Sequence, residues 1–192
     1  MNNDASATAF KELIAKAHVC GLQNHSGLDE HSRQLIGIAD RAQRMLDREE
    51  ITSICNQSGT NPKAIISTIC AATAYVDRCK QTLLTQQPHL FEKGGALHPS
   101  ERSEACWRDC WNFLRVAIYA MASDTAQCTD PSGIQAVRQL YVLMSVPAAG
   151  MTLALQTLAE LITADLLKNE HPHEASRINE AFTHLNDALH KG

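Results

Sequence analysis

A chain of 192 residues, 44% of them hydrophobic, has enough apolar side chains for one independently folding domain. Its formal net charge of −4 argues against nucleic acid or an anionic membrane surface as the main partner. We therefore expect no nucleic-acid partner and no insertion into a membrane.

Apolar residues recur at helical spacing along nearly the whole chain. In chain order they predict helices over residues 5–19, 28–47, 64–84, 100–122, 131–141, 147–167 and 174–189. Asn61-Pro62 and Asp130-Pro131 are typical helix starts, a capping residue followed by proline in the first turn. No useful strand-like alternation and no internal repeat occurs, so the sequence predicts a single all-α domain over residues 1–192.

Two connections stand out between these helices. Residues 56–61 read as a loop, and a longer irregular connection from Pro88 to Pro99 contains Gly94 and Gly95. A connection of that length is uncommon in a compact helical domain unless it has a function.

Neither a membrane span nor a signal peptide is evident. No apolar stretch approaches the length of a span, and Met1-Asn2-Asn3-Asp4 lacks the basic and apolar segments of a secretory signal. The chain is therefore expected in the cytoplasm, bound to the outside of a larger assembly.

The cysteine pattern indicates a reduced compartment rather than a disulfide framework. Seven cysteines, an odd number, are scattered without a CxxC spacing. We expect most of them to be small core residues and Cys106 to be the exception.

The segment Cys106-Trp107-Arg108-Asp109 places a thiol, a guanidinium and a carboxylate within four residues of a predicted helix. Positions i and i+3 share a helix face, so Cys106 and Asp109 can contact one bound molecule. Arg108 lies further round the helix and can reach the same molecule through its long side chain. This set suits a ligand that is covalently attached, carries acidic arms, and offers N–H groups or positive charge. A linear tetrapyrrole has all three properties.

The same segment resembles the bilin-attachment helix of phycobiliproteins, the light-harvesting pigment proteins of cyanobacteria. Further motifs that carry the resemblance are Gly94-Gly95, Phe113-Leu114-Arg115-x4-Ala120 with Tyr119 inside it, Arg138-Gln139-Leu140-Tyr141 and Val146-Pro147. The tail from Glu174 to Leu189 is similar to the end of phycocyanin α-type chains. The resemblance is strong from Gly94 to about Gln156 and faint before Ala64.

The resemblance implies a globin-like fold with two extra N-terminal helices. Residues 1–48 would form a helical pair for subunit association, and residues 61–192 the globin-like core. The implied partners are other phycobiliprotein subunits or linker proteins in a heterodimer or higher oligomer, with a bilin lyase bound transiently. The implied location is cytoplasmic and peripheral to the thylakoid membrane, through the phycobilisome.

The resemblance also implies roles for individual residues. Cys106 would carry the bilin, phycocyanobilin being the first choice, and Asp109 would accept hydrogen bonds from the central pyrrole N–H groups. Arg108 and Arg102 would pair with the propionates. Tyr141 would form a pocket wall, a role to which Trp107 is a weaker candidate.

Each of these residues also has a plain structural interpretation. Cys106 would be a buried core cysteine, Asp109 a surface carboxylate paired with Arg108 or Arg102, and both arginines ordinary solvated charges. The Arg-Asp pair and the ungapped glycine loop favour bilin attachment over these interpretations.

The chain departs from the family at the subunit interface. The family commonly has an aspartate in its first helix that forms a salt bridge with an arginine of the partner subunit. The corresponding position here lies close to His18, so no carboxylate is available. Arg115 and Tyr119 match the family residues that receive the aspartate. We therefore expect the chain to accept a partner's aspartate without supplying its own. The family's usual Ala-Gly-Asp after the tyrosine is Ser123-Asp124-Thr125 here, and its tyrosine in the Gly-Gly loop is His98. These differences argue against the standard trimeric disc assembly.

Other chemistries have weaker support in the sequence. Cys106 and Cys110 could bind a metal with His171 or His173, but no second half of the site is defined. A Cys–His enzyme would need a base that the sequence does not place. Haem would need an axial histidine, which residues 106–122 lack, and phosphate-binding glycine loops are absent.

The sequence therefore predicts a light-harvesting biliprotein subunit that is not an enzyme. The alternative is a divergent paralogue with a regulatory, photoprotective or assembly role, with or without pigment. A bilin-handling enzyme is the third possibility.

Overall fold

The computed structural model describes residues 2–190, with side chains from residue 8 onward. Within that range it contains eight α-helices and no strand beyond an isolated antiparallel bridge between Cys20 and Thr129. The helices, α1 to α8 in chain order, are Asn2–Lys16, Glu30–Arg41, Arg48–Ser58, Pro62–Gln86, Ser100–Ala122, Pro131–Leu143, Ala148–Lys168 and Pro172–His190. The predicted all-α fold is confirmed.

The core forms around α5. Its second half, residues 113–122, is buried at every position, because α4, α7 and α8 pack around it. The largest enclosed side chains include Phe113, Tyr119 and Phe182. Burial of a large apolar side chain contributes roughly 1.5–3 kcal/mol, so this half of α5 is a rigid support for the residues at its other end.

Side-chain caps fix where several helices begin. The carboxamide oxygen of Asn61 accepts from the Lys63 amide at 3.0 Å, and the Asp130 carboxylate accepts from the Gly133 amide at 2.6 Å. Each bond satisfies an amide that has no partner inside its own helix. Both predicted helix starts are therefore confirmed.

The predicted helix over 28–47 is wrong after Arg41. Helix α2 ends at Arg41, and Gln43 adopts a left-handed backbone with φ of 51°. Helix α3 then begins after Asp47, whose carboxylate caps the Glu50 amide while the Glu50 carboxylate accepts from the Asp47 amide. This reciprocal cap starts a helix that the prediction missed, and α3 extends to Ser58, into the segment predicted as a loop.

The N-terminal segment packs on the globular part of its own chain. Helix α1 contacts α6, and the chain after α1 lies against the start of α6. A Cβ on Gly133 would lie 2.4 Å from the carbonyl oxygen of His18, so only glycine permits this approach. The contact holds His18 beside the cavity described below.

Helix α7 corrects a further expectation. Ala148–Lys168 is long and apolar enough, by length and composition alone, to cross a membrane, although the sequence suggested no such stretch. Half of its most apolar window is buried, and α7 packs against α4 and α8. A helix in the core of a globular protein can have the same length and apolar composition, and the packing of α7 fits that explanation.

Candidate functional site

One cavity of about 780 Å³ contains the residues singled out from the sequence. Its lining includes all five candidates, Arg102, Cys106, Arg108, Asp109 and Tyr141. Four of them come from the first half of α5, and the fifth comes from α6. The volume lies in the range of small-molecule sites in proteins.

Helix α5 presents the thiol and the carboxylate to this cavity from one face. Cys106 and Asp109 are three residues apart, about 4.5 Å along the helix axis. Cys106 is 6% exposed as a residue and lines the cavity, so its access to a ligand is limited to the cavity side. This arrangement can anchor one end of a ligand and place the carboxylate under its middle.

Asp109 is hydrogen-bonded to the opposite wall. The Tyr141 hydroxyl donates to Asp109 Oδ2 at 2.7 Å. Burial raises the pKa of the Asp109 carboxyl above its ordinary value, while the Tyr141 hydrogen bond and the Arg108 charge act to lower it. A carboxylate that burial penalises in this way gains from a positively charged or N–H-bearing ligand.

The two arginines differ in how their donors are used. Arg108 is exposed and, among the described residues, has no ion pair of its own. Arg102 donates from Nε to the Ala96 carbonyl at 2.6 Å and from Nη2 to the Met144 carbonyl at 2.6 Å. Since these donors tie the loop before α5 to the end of α6, the geometry supports a structural role for Arg102 rather than the propionate contact expected from the sequence.

Trp107 does not line this cavity. Its ring stacks on Phe91, with centroids 5.8 Å apart and planes 15° apart, and it borders a neighbouring surface groove that shares Arg108 and Asn112 with the cavity. The weaker expectation that Trp107 forms a wall of the same pocket is therefore wrong, because its position on α5 directs it to another side of the helix.

The other thiols near Cys106 are enclosed. Hydrogen bonds with Cys106 and Cys79, together with burial, raise the pKa of the Cys110 thiol well above its ordinary value. Over residues 8–190 no cluster of histidine, cysteine or acidic side chains suits a metal ion. His173 lies 2.9 Å from the Asp124 carboxylate, and His171 lies 3.5 Å from the Asn61 side chain.

The residues expected to receive a partner's aspartate have partners within this chain. Arg115 Nη1 lies 2.6 Å from the carboxylate of Asp40 on α2, and also donates to the Tyr119 hydroxyl. The Tyr119 hydroxyl in turn donates to the carbonyl of Arg44. Asp40 on α2 thus supplies a carboxylate to Arg115 within the chain, a contact that the sequence did not indicate, and acceptance of a partner's aspartate stays a prediction.

Sequence reasoning missed one wall of the cavity. Residues from the N-terminal segment line it opposite α5, among them His18, Gln23, Arg41 and Gln43. Periodicity predicted the helix that carries Arg41, but no local pattern indicates which tertiary surface that helix covers. The cavity is thus enclosed between α5, α6 and the segment around α2.

The structure is thus a helical domain whose cavity is lined by a thiol, a carboxylate and arginines. Residues 34–189 match the family described as Phycobilisome protein. The chain therefore belongs to this family, and the resemblance found in the sequence is confirmed. Phycobiliproteins are light-harvesting pigment proteins, which agrees with the expectation that the chain is not an enzyme.

Individual relatives are distant. The chain is 32% identical over 144 residues to the allophycocyanin subunit beta-18 of Pyropia yezoensis, covering 75% of this chain and 77% of that one. It is 30% identical over 158 residues to the phycobiliprotein beta chain of Mastigocladus laminosus, covering 81% and 93%. Both carry beta-type names, whereas the tail suggested an α-type chain.

A solved structure supports the fold. A far-red fluorescent biliprotein derived from an allophycocyanin F subunit of Chroococcidiopsis thermalis superposes with a TM-score of 0.59. It is 19% identical and covers 76% of this chain and 100% of its own. At that identity the likeness shows the globin-like phycobiliprotein fold alone.

Proposed function

We propose that the chain is a light-harvesting subunit that carries one linear tetrapyrrole, phycocyanobilin, on Cys106 and passes excitation within or near a phycobilisome. The observation that carries this proposal is that Cys106, Asp109 and Tyr141 line one cavity. The residues fit the pigment, since a thiol, an acceptor for pyrrole N–H groups and arginines for acidic arms occur together.

Each side chain has a definite task in this proposal. Cys106 would hold the pigment through a thioether, its thiol adding across an ethylidene or vinyl double bond so that sulfur and proton both end on the pigment. Asp109 accepts from the central N–H groups, while Tyr141 holds that carboxylate in place. Arg108 pairs with a propionate. When bound, the tetrapyrrole supplies absorption of visible light, and the enclosed cavity restricts the ring rotation that would dissipate it.

The proposed partners are other phycobiliprotein subunits or linker proteins, with a bilin lyase acting transiently. The proposed location is the phycobilisome, peripheral to the thylakoid membrane. The helical pair within residues 1–48 is proposed as the association segment, and residues 61–192 as the pigment-carrying core.

Substitution of the anchoring sulfur tests the proposal. Cys106→Ser, co-expressed with a bilin source, should lose covalent colour, read as zinc-enhanced fluorescence of the denatured band, while keeping its helical circular dichroism. Cys70→Ser is the matched control, because Cys70 is exposed on α4 and does not line the cavity. Persistence of the fluorescent band in Cys106→Ser would overturn the attachment site.

A second candidate function rests on the Arg115 network. Arg115 donates to the Asp40 carboxylate, and the Tyr119 hydroxyl donates to the Arg44 carbonyl, so both residues already have partners within the chain. A subunit whose family interface residues are used in this way fits a divergent paralogue with a regulatory, photoprotective or assembly role. Co-purification from native cells distinguishes the two. An antenna subunit should co-purify with phycobilisome rod or core subunits in fixed stoichiometry, whereas the paralogue should not.

A further inference from the structure

A linear tetrapyrrole carries two propionate arms, and each needs a cation or water. Arg108 is available for one, since it lines the cavity and has no ion pair among residues 8–190. Arg102, the other arginine indicated by the sequence, already uses Nε and Nη2 on backbone carbonyls. One propionate therefore lacks an assigned partner on α5.

Among the described residues of the cavity wall, Arg41 is the remaining cation whose donors have no acceptor within the chain. It is the last residue of α2, is exposed, and lines the cavity from the side opposite α5. It forms no ion pair within the described residues. A Cβ on Gly37 would lie 3.3 Å from Arg41 Nη1 and 3.4 Å from the Cβ of Gln23, so the guanidinium folds back along α2 toward Gln23, itself a lining residue.

The carboxylates of the cavity leave Arg41 uncompensated. Asp40 is 2.6 Å from Arg115, and its charge is used there. Asp109 is hydrogen-bonded to Tyr141 on the other side of the cavity. Glu101, the third carboxylate of the lining, accepts from the Ser100 hydroxyl at 3.4 Å and forms no ion pair with either arginine. Among the described lining residues, Arg41 and Arg108 are thus two arginines without an ion-pair partner, on different elements of the chain.

We propose that Arg41 binds the second propionate of the pigment, so that the N-terminal segment forms part of the bilin site. This inference rests on the proposed function. An arginine forms two parallel hydrogen bonds to a carboxylate, and its planar group suits this task better than lysine. The arrangement clamps the pigment between α5, which holds the sulfur, and α2, which holds the acid.

The competing explanation is that Arg41 only complements the helix dipole at the end of α2, where a cation has a small stabilising effect. That role concerns the fold and is independent of the pigment's acidic arms. Esterified pigment separates the two explanations, because a methyl ester keeps the ring system and removes the negative charge.

The test measures reversible binding in the Cys106→Ser chain, where no thioether forms. Phycocyanobilin or its dimethyl ester is titrated into the protein, and binding is followed by the quenching of tryptophan fluorescence. Arg41→Gln should weaken the free acid about tenfold, since a charge-assisted hydrogen bond contributes enough to change affinity by that factor. It should leave ester binding unchanged. Arg41→Lys should recover part of the loss.

Arg48→Gln is the matched control, because it removes the same charge from an exposed site that does not line the cavity. It should bind both pigments like its parent. Equal weakening of acid and ester by Arg41→Gln, or no weakening, would overturn the role of Arg41 and leave the proposed function standing. If the parent chain binds neither pigment, the proposed function itself fails.

Discussion

Asp40 on α2 and Arg115 on α5 form an ion pair at 2.6 Å, 75 residues apart in one chain. Arg115 is 5% exposed, so this pair joins the N-terminal segment to the core through a desolvated charge. Its Nε has no hydrogen-bond partner among the described residues, so compensation of the guanidinium depends on Asp40 and Tyr119. The pair also holds in position the helix that carries Arg41.

Asp40→Asn should therefore destabilise the fold. Removal of one member of a buried ion pair leaves an uncompensated charge and costs roughly 3 kcal/mol. Urea unfolding followed by circular dichroism measures the loss. Asp77→Asn is the control, since Asp77 pairs with Lys80 at the surface, where such a pair contributes at most about 1 kcal/mol. Equal small effects in both variants would contradict the structural role of Asp40.

Asp109→Asn should stabilise the pigment-free chain at neutral pH. Burial raises the pKa of the Asp109 carboxyl in the folded state, so the folded chain retains this proton to higher pH than the unfolded chain. The free energy cost of ionising it is absent below the unfolded pKa, grows as the pH rises from the unfolded to the folded pKa, and is largest above the folded pKa. Asparagine carries no such cost.

Urea unfolding of the pigment-free parent and of Asp109→Asn, at pH 4 and at pH 7, measures how the difference in their free energies of unfolding changes with pH. The advantage of asparagine should be larger at pH 7. With pigment bound, the same substitution should shift and weaken visible absorbance, because the acceptor for the pyrrole N–H groups loses its charge. An unchanged spectrum would argue against the role assigned to Asp109.

Tyr141→Phe should make the pigment spectrum more sensitive to acid. The lost hydroxyl donates to Asp109 and acts to lower its pKa, so the carboxylate should take up its proton at higher pH in the variant. Loss of the bond should also cost about 1 kcal/mol of stability. Acid titration of visible absorbance reports the midpoint. Tyr75→Phe removes an equivalent bond to Asp165 outside the cavity and should leave the midpoint where it was.

Arg102 is predicted to act on the loop and not on the pigment. Arg102→Gln and Arg102→Lys should each cost about 1–2 kcal/mol, since neither reproduces the donations to Ala96 and Met144. If Arg102 instead held a propionate, the lysine variant would keep most of the affinity for free-acid pigment while the glutamine variant would not. Thermal unfolding and pigment titration together separate these outcomes.

Local sequence signals predicted much of the fold. Apolar spacing and the caps at Asn61 and Asp130 indicated most helices within a few residues. The end of α2 was missed because the left-handed residue there is Gln43, and a glycine would have revealed it. The start of α3 was readable, since Asp47 and Glu50 have the spacing of a capping box.

The site was predictable only where it is local. Cys106 and Asp109 share a helix face, so their spacing alone brought them together. Tyr141, 32 residues further on, was suggested by the family resemblance. Asp40 and Arg41 were not found, because their contacts with the core depend on how α2 packs against α5 and α6, which no local pattern specifies.

The most direct test is the mass of the tryptic peptide covering residues 103–108, taken from protein isolated from its native host together with its visible spectrum. The account predicts a coloured protein and a peptide that carries the added mass of one tetrapyrrole on Cys106. A colourless protein whose peptide has the unmodified mass would contradict it.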